Sequence, residues 1–245
     1  MFQTSVKQIP FINFTAKNIL FRQSYYHMIR QLILTQDGSH TIFVHEMGEH
    51  YHSVHGAIQE SRHIFIDNGY RFVDADTVEI LEIGFGTGLN AFLTILESIT
   101  DNKTVRYQAW EAFPLTANES RLLNYPEILK TGQEIFDKLH LAEWEQEVAI
   151  ASRFVLEKIG KDIRDFNSDR MFDLVYFDAF GPDYQPDLWD IRVFQKIGAC
   201  MKINSRLVTY SAKGQVRRNL REAGFLVKKA PGPPGKREIT IATKM

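Results

Sequence analysis

Short apolar runs alternate with segments of helical periodicity from Thr77 to the end of the chain, and this alternation constrains the fold more than any other feature. Five runs predict strands, at 78–83, 105–110, 148–151, 172–177 and 207–210. Helical spacing lies between most of them, at 89–96, 154–163, 188–201 and 213–223. Two last runs, at 225–229 and 238–243, flank a turn-rich segment and predict an antiparallel pair. The pattern predicts an α/β fold with a mostly parallel sheet covered by helices on both faces.

The segment before Thr77 has a different pattern, with short apolar runs around a turn and no regular alternation of strands and helices. Apolar runs at 30–35 and 41–44 flank the turn signal Asp37-Gly38, and a helix is predicted around 52–65. We therefore expect a small β-rich N-terminal extension at 1–74, followed by an α/β domain at 75–245.

The charged fraction of 24% is typical of globular proteins. No apolar run approaches the roughly 18–20 residues of a membrane helix, and no signal peptide is visible, so we expect a cytoplasmic protein.

A glycine-rich turn follows the first strand of the α/β domain. It reads Glu82-Ile83-Gly84-Phe85-Gly86-Thr87-Gly88-Leu89-Asn90. Glycines in a strand-to-helix turn let a ligand approach the backbone closely. A dinucleotide-binding turn would need a small residue at Leu89, and a phosphate loop would need Lys and then Ser or Thr after the glycines. With Glu82 in front, the spacing instead resembles the S-adenosylmethionine motif of class I methyltransferases.

Two acidic residues follow other strands. Glu111 comes after the second strand, where a carboxylate can accept hydrogen bonds from two ribose hydroxyls. Asp178 comes after the fourth strand and is followed by Phe180 and Pro182. A carboxylate there can hold an amine and accept its proton, and an aromatic ring can stack on a base. The alternative for Asp178 is that it caps the next helix.

Charge is distributed unevenly along the chain, although the net charge is only −1. From Lys202 to Met245 there are 11 basic and 2 acidic residues, so the other 201 residues are strongly acidic. Such asymmetry indicates either a nucleic-acid face or a solvated surface. Five basic residues are candidates for binding the phosphates of a nucleic-acid substrate: Arg217, Arg218, Arg221, Lys236 and Arg237.

Histidine and cysteine point to no metal centre. Six of the eight histidines fall between His40 and His63, and the segment from His45 to His50 resembles a zinc-protease motif. It is one residue too long, and Gly48 opposes the helix that such a motif needs. The single cysteine, Cys200, excludes an intrachain disulfide, and we expect it to lie in the core. No metal is therefore expected.

Taken together, segments of the sequence from about Asp37 to the C-terminus resemble the methyltransferase domain of the bacterial tRNA 5-methylaminomethyl-2-thiouridine synthesis enzymes (MnmC type). The matching pieces are Asp37-Gly38-Ser39, Tyr51-His52-Ser53, Gly56-Ala57, Glu60-Ser61, the glycine-rich turn, Glu111-Ala112-Phe113-Pro114-Leu115, Asp178-Ala179-Phe180-Gly181-Pro182, Pro186-Asp187-Leu188-Trp189, Tyr210-Ser211-Ala212, Val216-Arg217-Arg218, Ala223-Gly224-Phe225 and Gly235-Lys236-Arg237-Glu238. The glycine motif alone is general to methyltransferases, and the combination is specific.

The resemblance implies a class I, Rossmann-like fold and the transfer of a methyl group from S-adenosylmethionine to the amine of 5-aminomethyl(-2-thio)uridine at the wobble position of tRNA. It implies that the cofactor contacts Glu82, Gly84, Phe85, Gly86, Thr87, Gly88, Asn90, Glu111, Ala112, Ser152 and Asp178. Asp178, Phe180 and Pro182 are the candidate catalytic residues, with Asp178 orienting the amine and the other two forming an apolar wall. The chain looks like the stand-alone form, so a separate FAD-dependent oxidase partner is expected beside tRNA.

The sequence departs from this family pattern after the predicted third strand. Family members often carry an acid there that can hold the adenine amino group, whereas residues 148–153 contain no carboxylate. Ser152 or backbone groups would then take that place. The turn at 231–235 is also unusually rich in proline.

Two other classes of function remain open from the sequence. One is an aminopropyltransferase or methyltransferase that acts on a small-molecule amine, which would need acidic residues to bind its substrate. The other is a non-catalytic module that binds adenosylmethionine or RNA. The basic C-terminal segment disfavours the first, and the presence of Glu82, Glu111 and Asp178 disfavours the second.

Overall fold

The computed structural model describes residues 28–245 of the chain, so the first 27 residues of the expected extension lie outside the described part. A small antiparallel sheet comes first, formed by β1 (Arg30–Leu34), β2 (His40–Val44) and the short β3 (Glu49–His50). The turn between β1 and β2 is fixed by Asp37, whose Oδ1 accepts hydrogen bonds from the backbone N–H of Ser39 and from the Thr35 hydroxyl. The β-rich extension is therefore present as predicted.

An eight-stranded sheet forms the main body. Its strands are β4 (Thr77–Ile83), β5 (Thr104–Trp110), β6 (Glu147–Ala151), β7 (Phe154–Ile159), β8 (Phe172–Phe177), β9 (Met201–Thr209), β10 (Phe225–Pro231) and β11 (Glu238–Lys244). The strand order is β10-β11-β9-β8-β4-β5-β7-β6. The five strands from β9 to β7 in this order run parallel, and antiparallel partners close both edges. The predicted α/β class and the antiparallel C-terminal pair are confirmed.

The described helices connect the strands and cover the sheet. They are α1 (Ala57–Ser61), α2 (Leu89–Asp101), α3 (Ala117–Ser120), α4 (Tyr125–Leu129), α5 (Gln133–Leu141), α6 (Ile191–Ala199) and α7 (Gly214–Glu222). A π-helical turn at Arg62–Asp67 extends α1, and 3₁₀ turns lie at Tyr70–Phe72, Ile163–Asp165 and Pro186–Trp189. One face of the sheet packs on α2 through Phe92 and Ile95, and the other packs on α6 and α7 through Phe194 and Leu220. Between α7 and β10 the chain reverses at Gly224, whose φ of +91° favours glycine.

The helix predicted at 154–163 is wrong, because Phe154–Ile159 is the strand β7. Its apolar spacing suits a helix, but Lys158 takes an inward position that a lysine rarely occupies. The Lys158 ammonium donates to the backbone carbonyls of Leu139 and His140, at 3.0 and 2.9 Å, and the residue is only 1% exposed. The third parallel strand therefore ends at Ile159, and 147–151 is an antiparallel edge strand beside it.

Four parallel strands end on one line. Ile83 of β4 pairs with Trp110 of β5 and with Phe177 of β8, and Trp110 pairs with Ile159 of β7. The residue after each of three strands is held by a backbone hydrogen bond to the neighbouring strand. The N–H groups of Gly84, Asp178 and Glu111 donate to the carbonyl oxygens of Trp110, Ile83 and Ile159, in that order, at 2.8–3.0 Å. The chain runs outward from β4 in both directions, so this line is the topological switch point at which ligands bind in open α/β sheets.

Arg217 is not part of an exposed basic face, which corrects the expectation from the sequence. Its side chain is buried between α7 and β11, where Nη2 lies 2.6 Å from Glu238 Oε2 and Nε donates to Thr240 Oγ1 at 3.0 Å. Arg218, one position along, is exposed and bonds only to Gln215 of its own helix among the described residues. Helical spacing places the two arginines on different faces.

We therefore predict that Arg217→Ala lowers the midpoint of thermal unfolding by about 5 °C. The substitution leaves the half-buried Glu238 carboxylate without its ion-pair partner and removes the buried hydrogen bond to Thr240. Arg218→Ala is the matched control and should change the midpoint by less than about 1 °C. Thermal unfolding followed by circular dichroism measures both. Equal midpoints for the two variants would contradict the structural role of Arg217.

Candidate active site

A pocket of about 530 Å³ opens where the four parallel strands end. The glycine-rich turn lies on one side of it, and Glu111 and Asp178 lie at neighbouring strand ends. The 49–54 segment, which begins with β3 of the small N-terminal sheet, forms a wall that the sequence did not predict. Six acidic side chains and three basic ones line the pocket, so its charge suits a cationic ligand: Glu49, Glu60, Glu111, Asp162, Asp178 and Asp187, with Lys161, Arg164 and Lys236.

The glycine-rich turn needs its glycines for two separate reasons. Gly84, Gly86 and Gly88 have φ values of +89°, +49° and +72°, which side chains rarely adopt. At Gly84 a Cβ atom would lie 2.6 Å from the carbonyl oxygen of Asp178, and at Gly86 it would lie 2.9 Å from the Tyr51 ring. Gly84 and Gly86 line the pocket, whereas a Cβ atom at Gly88 would meet Leu139 of α5. The turn thus brings bare backbone to the pocket surface.

Thr87 anchors this turn through two buried histidines. Its hydroxyl lies 2.6 Å from His52 Nε2, and its carbonyl oxygen accepts a hydrogen bond from His140 Nε2 at 3.1 Å. Burial lowers the pKa of His52 to about 4, with Glu60 opposing the shift. Burial also lowers the pKa of His140 to about 4, and the Lys158 ammonium adds to the effect. Both rings are therefore neutral at pH 7 and tie the turn to the N-terminal extension and to α5.

Glu111 is oriented by the backbone on both sides. Its Oε2 accepts the N–H of Gly86 at 2.9 Å, and its Oε1 accepts the N–H of Phe113 at 2.8 Å. Burial raises the pKa of Glu111, and these backbone hydrogen bonds oppose the shift. Each oxygen keeps a further acceptor position. Because Glu111 and Ala112 line the pocket, the carboxylate can receive two hydroxyl groups of a bound ribose.

Asn90 joins the two acidic residues that lie beyond the glycines. Its Nδ2 donates to Glu82 Oε1 at 3.0 Å and to Asp178 Oδ2 at 2.8 Å. Glu82 and Asn90 are buried and are not among the residues that line the pocket, so they contact it through Asp178 and the glycine turn. Burial raises the pKa of Asp178 well above its usual range, and the Asn90 hydrogen bond opposes the shift. Asp178 lines the pocket, and its Oδ2 is held by the hydrogen bond from Asn90.

Of the other two candidate catalytic residues, the structure brings only Phe180 to the pocket. Its ring packs edge-on against Tyr51, with centroids 4.9 Å apart, and its carbonyl oxygen accepts the Trp189 indole N–H at 2.8 Å. Pro182 follows in the same loop but is not among the residues that line the pocket. Phe180 and Tyr51 give the pocket an aromatic surface beside Asp178.

Ser152 does not belong to the site, which corrects the expectation from the sequence. It is exposed in the turn between β6 and β7, next to the amino ends of the parallel strands. The error follows from placing the third parallel strand at 148–151. The strand that fills that position ends at Ile159, and the acid that follows it is Asp162, which lines the pocket. Asp162 accepts from the backbone N–H and the guanidinium of Arg164 at 2.7–2.9 Å.

The basic residues predicted to bind substrate separate into three groups. Arg217 is buried in an ion pair, as described above. Arg218, Arg221 and Arg237 are exposed. Lys236 lines the pocket, with its ammonium 2.7 Å from Glu60 Oε1 and 4.2 Å from the centre of the Tyr210 ring.

Seven residues of the extension line the pocket, and none of them, including Tyr51, His52 and Glu60, was predicted as a site residue. Glu60 is 6% exposed and accepts the backbone N–H of Ser53 at 2.6 Å through Oε2. The sequence signal that could have found them is the run Tyr51-His52-Ser53 with Glu60, which belongs to the family resemblance but lies outside the α/β domain. Their place depends on how the extension packs, and strand spacing does not encode that.

The pocket residues fit S-adenosylmethionine by their chemistry. Gly84 and Gly86 present bare backbone at the pocket surface, and Glu111 offers a backbone-oriented carboxylate for a ribose diol. Asp162 supplies an acid beside the end of β7, and the excess of acidic lining residues suits a sulfonium cation.

No group of three or more His, Cys, Asp or Glu side chains that could hold a metal ion is found in residues 28–245. The same residues contain no helix that is long and apolar enough to cross a membrane.

We predict that protein stability falls between pH 6.5 and pH 4, partly because of His52. The unfolded chain takes up a proton on this ring near pH 6.5, whereas the folded protein takes it up near pH 4. The contribution of neutral His52 to stability is therefore fully present above pH 6.5 and is lost as the pH falls towards 4. At pH 5 the loss for one such histidine is about 2 kcal/mol. Urea unfolding at pH 7.5 and pH 5 should show a smaller loss for His52→Gln than for the wild type. The exposed His45 gives the matched control, His45→Gln, and an unchanged loss in His52→Gln would contradict the prediction.

Comparisons with known proteins show what this chain is similar to. A family model described as S-adenosyl-L-methionine-dependent methyltransferase matches residues 127–245. The tRNA 5-methylaminomethyl-2-thiouridine biosynthesis bifunctional protein MnmC of Polaromonas sp. (strain JS666) is 30% identical over 83% of this chain and 34% of its own length. The chain thus spans about a third of the length of the curated relatives that it matches.

Solved structures give the same result for the fold. The crystal structure of MNMC2 from Aquifex aeolicus superposes with a TM-score of 0.69 at 25% identity, covering 94% of this chain and 78% of that chain. Spermidine synthase from Thermotoga maritima superposes with a TM-score of 0.55 at 15% identity, over 88% of this chain and 69% of that one, which indicates a shared fold. The chain therefore has the fold of the class I methyltransferases, matches the S-adenosyl-L-methionine-dependent methyltransferase family model over residues 127–245, and is similar to the MnmC-type proteins.

Proposed function

We propose that this protein transfers a methyl group from S-adenosylmethionine to the amine of 5-aminomethyl(-2-thio)uridine at the wobble position of tRNA. The observation that supports this most is the pocket in which Glu111 and the glycine turn, on one side, meet Asp178 and an aromatic surface on the other. The similarity to proteins named for tRNA 5-methylaminomethyl-2-thiouridine biosynthesis supports the choice of substrate. A separate FAD-dependent oxidase partner stays a prediction.

The cofactor side of the pocket would be formed by four features. Gly84 and Gly86 would lie against the cofactor, Glu111 would accept from the ribose hydroxyls, and Asp162 would lie towards the adenine. Thr87 would keep the turn in place through its two histidine contacts. Bound there, S-adenosylmethionine supplies an electrophilic methyl group on a sulfonium. The protein therefore needs to contribute position more than activation.

The acceptor must be a neutral amine. A primary alkylamine has a pKa near that of lysine, about 10.4, so the neutral form costs about 4–5 kcal/mol at pH 7 in water. A pocket that excludes water lowers this cost. Asp178 would accept a hydrogen bond from the amine and later its proton, and the raised pKa of this carboxyl makes it a better base than an exposed aspartate. Phe180 and Tyr51 would face the uracil ring.

The tRNA would extend over α7, which lies beside the loop that carries Phe180. Asn219 of α7 donates to the Trp189 carbonyl oxygen at 2.8 Å, and Lys213, just before α7, pairs with Asp183 at 2.6 Å. Arg218 and Arg221 lie on the exposed side of the same helix. Arginines on an exposed helical face next to a pocket suit phosphate contacts.

We predict that Asp178→Ala loses well over tenfold in turnover while it still binds S-adenosylmethionine, because the amine loses its orienting group and proton acceptor. Purified protein is incubated with labelled S-adenosylmethionine and tRNA that carries 5-aminomethyluridine, and the digested nucleosides are identified. Label in 5-methylaminomethyluridine with the wild type, and its loss with Asp178→Ala, is the expected result. Calorimetry with S-adenosylmethionine checks binding.

Two results would change the assignment. No labelled nucleoside with the wild type, together with confirmed cofactor binding, would reject tRNA as the substrate and favour a small-molecule amine. Full turnover by Asp178→Ala would instead remove Asp178 from the reaction and leave the substrate in place.

We predict that tRNA binding weakens steeply with salt, and that Arg218→Glu combined with Arg221→Glu weakens it further without changing cofactor affinity. Each lost phosphate contact lowers the slope of log affinity against log salt by about 0.7–0.9. Filter binding between about 50 and 200 mM salt measures the slope, and a Glu substitution at exposed Arg192, on α6, is the matched control. An unchanged slope in the double variant would exclude this face of α7.

A further inference from the structure

Lys236 does not project into solvent as a phosphate-binding lysine would. It enters the pocket from the loop between β10 and β11, and its side chain is 30% exposed. Its ammonium lies 2.7 Å from Oε1 of the buried Glu60 and over the face of Tyr210, 4.2 Å from the ring centre. The opposite oxygen of Glu60 is occupied by the Ser53 N–H. The ion pair therefore joins the C-terminal loop to the N-terminal extension inside the pocket.

This ion pair lies at the Asp178 end of the pocket. Tyr210, on whose ring Lys236 rests, donates its hydroxyl to the carbonyl oxygen of Ala179 at 2.9 Å, next to Asp178 in the chain. Asp178 is close enough for Glu60 to raise its pKa and for Lys236 to lower it. The charged and titratable groups around the Lys236 ammonium thus come from four places: Glu60 on α1, Asp178 after β8, Tyr210 after β9 and His52 in the extension.

The loop that carries Lys236 is held rigidly in this position. Gly235 has φ of +84°, and a Cβ atom there would clash with the ring of His55. His63 Nε2 donates to the carbonyl oxygen of Pro231 at 2.9 Å, at the other end of the loop. The prolines Pro233 and Pro234 restrict the backbone between them. These contacts position the backbone of Lys236 at the pocket, and the ion pair with Glu60 orients its ammonium.

Two carboxyl groups, the buried Glu60 and the partly buried Asp178, face one amine substrate in the proposed reaction. A nearby carboxylate favours the ammonium form of an amine, and the ammonium has no lone pair with which to attack a methyl group. Without a cation, this end of the pocket would bind the substrate amine firmly in the unreactive form. The pocket also contains Lys161 and Arg164, but their acidic partners are Glu145 for Lys161 and Asp162 and Asp187 for Arg164.

We propose that Lys236 is a positioning residue that balances Glu60, so that the acceptor amine is held beside Asp178 in its neutral, nucleophilic form. This inference rests on the proposed function. A cation next to an amine is a known way to favour the neutral amine. Lys236 acts through its charge and takes no part in the proton transfer, and the proton released by the methylated amine goes to Asp178. Atoms and charge balance, because the methyl group leaves a sulfonium and joins the nitrogen while one N–H proton moves to the carboxylate.

The test measures single-turnover methyl transfer to 5-aminomethyluridine tRNA at saturating S-adenosylmethionine, from about pH 6 to pH 9.5, a range that spans the titration of a perturbed amine. Lys236→Met, which removes the charge and keeps the length, should move the acidic inflection of the rate upward by about one pH unit. At pH 7 the rate then falls about tenfold, and it recovers at high pH. Lys236→Arg should keep the inflection of the wild type, since it keeps the charge.

A double variant separates charge balance from structure. Glu60→Gln together with Lys236→Met removes both charges of the pair, while the amide oxygen of the new glutamine side chain can still accept from the Ser53 N–H. The inflection should return to within about 0.3 pH units of the wild type, because the pocket has regained its net charge. Lys228→Met, at an exposed lysine on the edge strand β10, is the control for loss of one lysine.

Each outcome supports or overturns the role of Lys236. An upward shift in Lys236→Met that the double variant reverses supports the charge-balance role. An unshifted inflection in Lys236→Met, or a rate that the double variant does not restore at any pH, overturns it and leaves the methyl-transfer function standing. If the wild type transfers no methyl group to this tRNA, the proposed function itself fails, and the inference fails with it.

Discussion

The backbone hydrogen bonds across the ends of β4, β5, β7 and β8 are the constraint on which the rest of the site depends. They hold Gly84, Glu111 and Asp178 in one row although these residues are far apart in the chain. The close approach of Gly84 to the Asp178 carbonyl follows from this row, since no side chain fits between the two backbones. A single register therefore sets the distance between Glu111 and Asp178, the two carboxyl groups to which the proposed function assigns the ribose and the acceptor amine.

The buried charge of the pocket is balanced in two different ways. On the cofactor side, backbone N–H groups satisfy Glu111 without adding a cation, so the carboxylate keeps its capacity to accept hydroxyl groups. At the other end, Asp178 receives only the neutral amide of Asn90 among the side chains of the described residues, and a full cation, Lys236, faces Glu60. This difference suits the two ligands of the proposed function, because a ribose is neutral whereas an acceptor amine can carry a proton. The placement of charge is thus more informative about the reaction than the fold, which Thermotoga spermidine synthase also has.

How much the sequence predicted depended on whether backbone pattern or packing decided the outcome. The glycine turn, Glu111 and Asp178 were placed correctly at strand ends, because the rule that ligands lie at the carboxyl ends of parallel strands needs only strand boundaries. Ser152 was misplaced because Lys158 obscures β7: a lysine that points inward and is satisfied by two helix carbonyls breaks the alternation that marks a strand. Arg217 was misread for a related reason, since its partner Glu238 lies in a strand that only the folded sheet brings near.

The N-terminal extension is part of the site and not an appendage. His52 holds Thr87 of the glycine turn, Tyr51 faces Phe180, and Glu60 pairs with Lys236, so the extension touches both the cofactor side and the acceptor side. The boundary at 74 that sequence texture suggests therefore divides residues that act together. A change in how the extension packs would alter the glycine turn and the charge around the acceptor at the same time. Under the proposed function, cofactor binding and amine ionisation would therefore both depend on buried polar residues of the extension, His52 and Glu60.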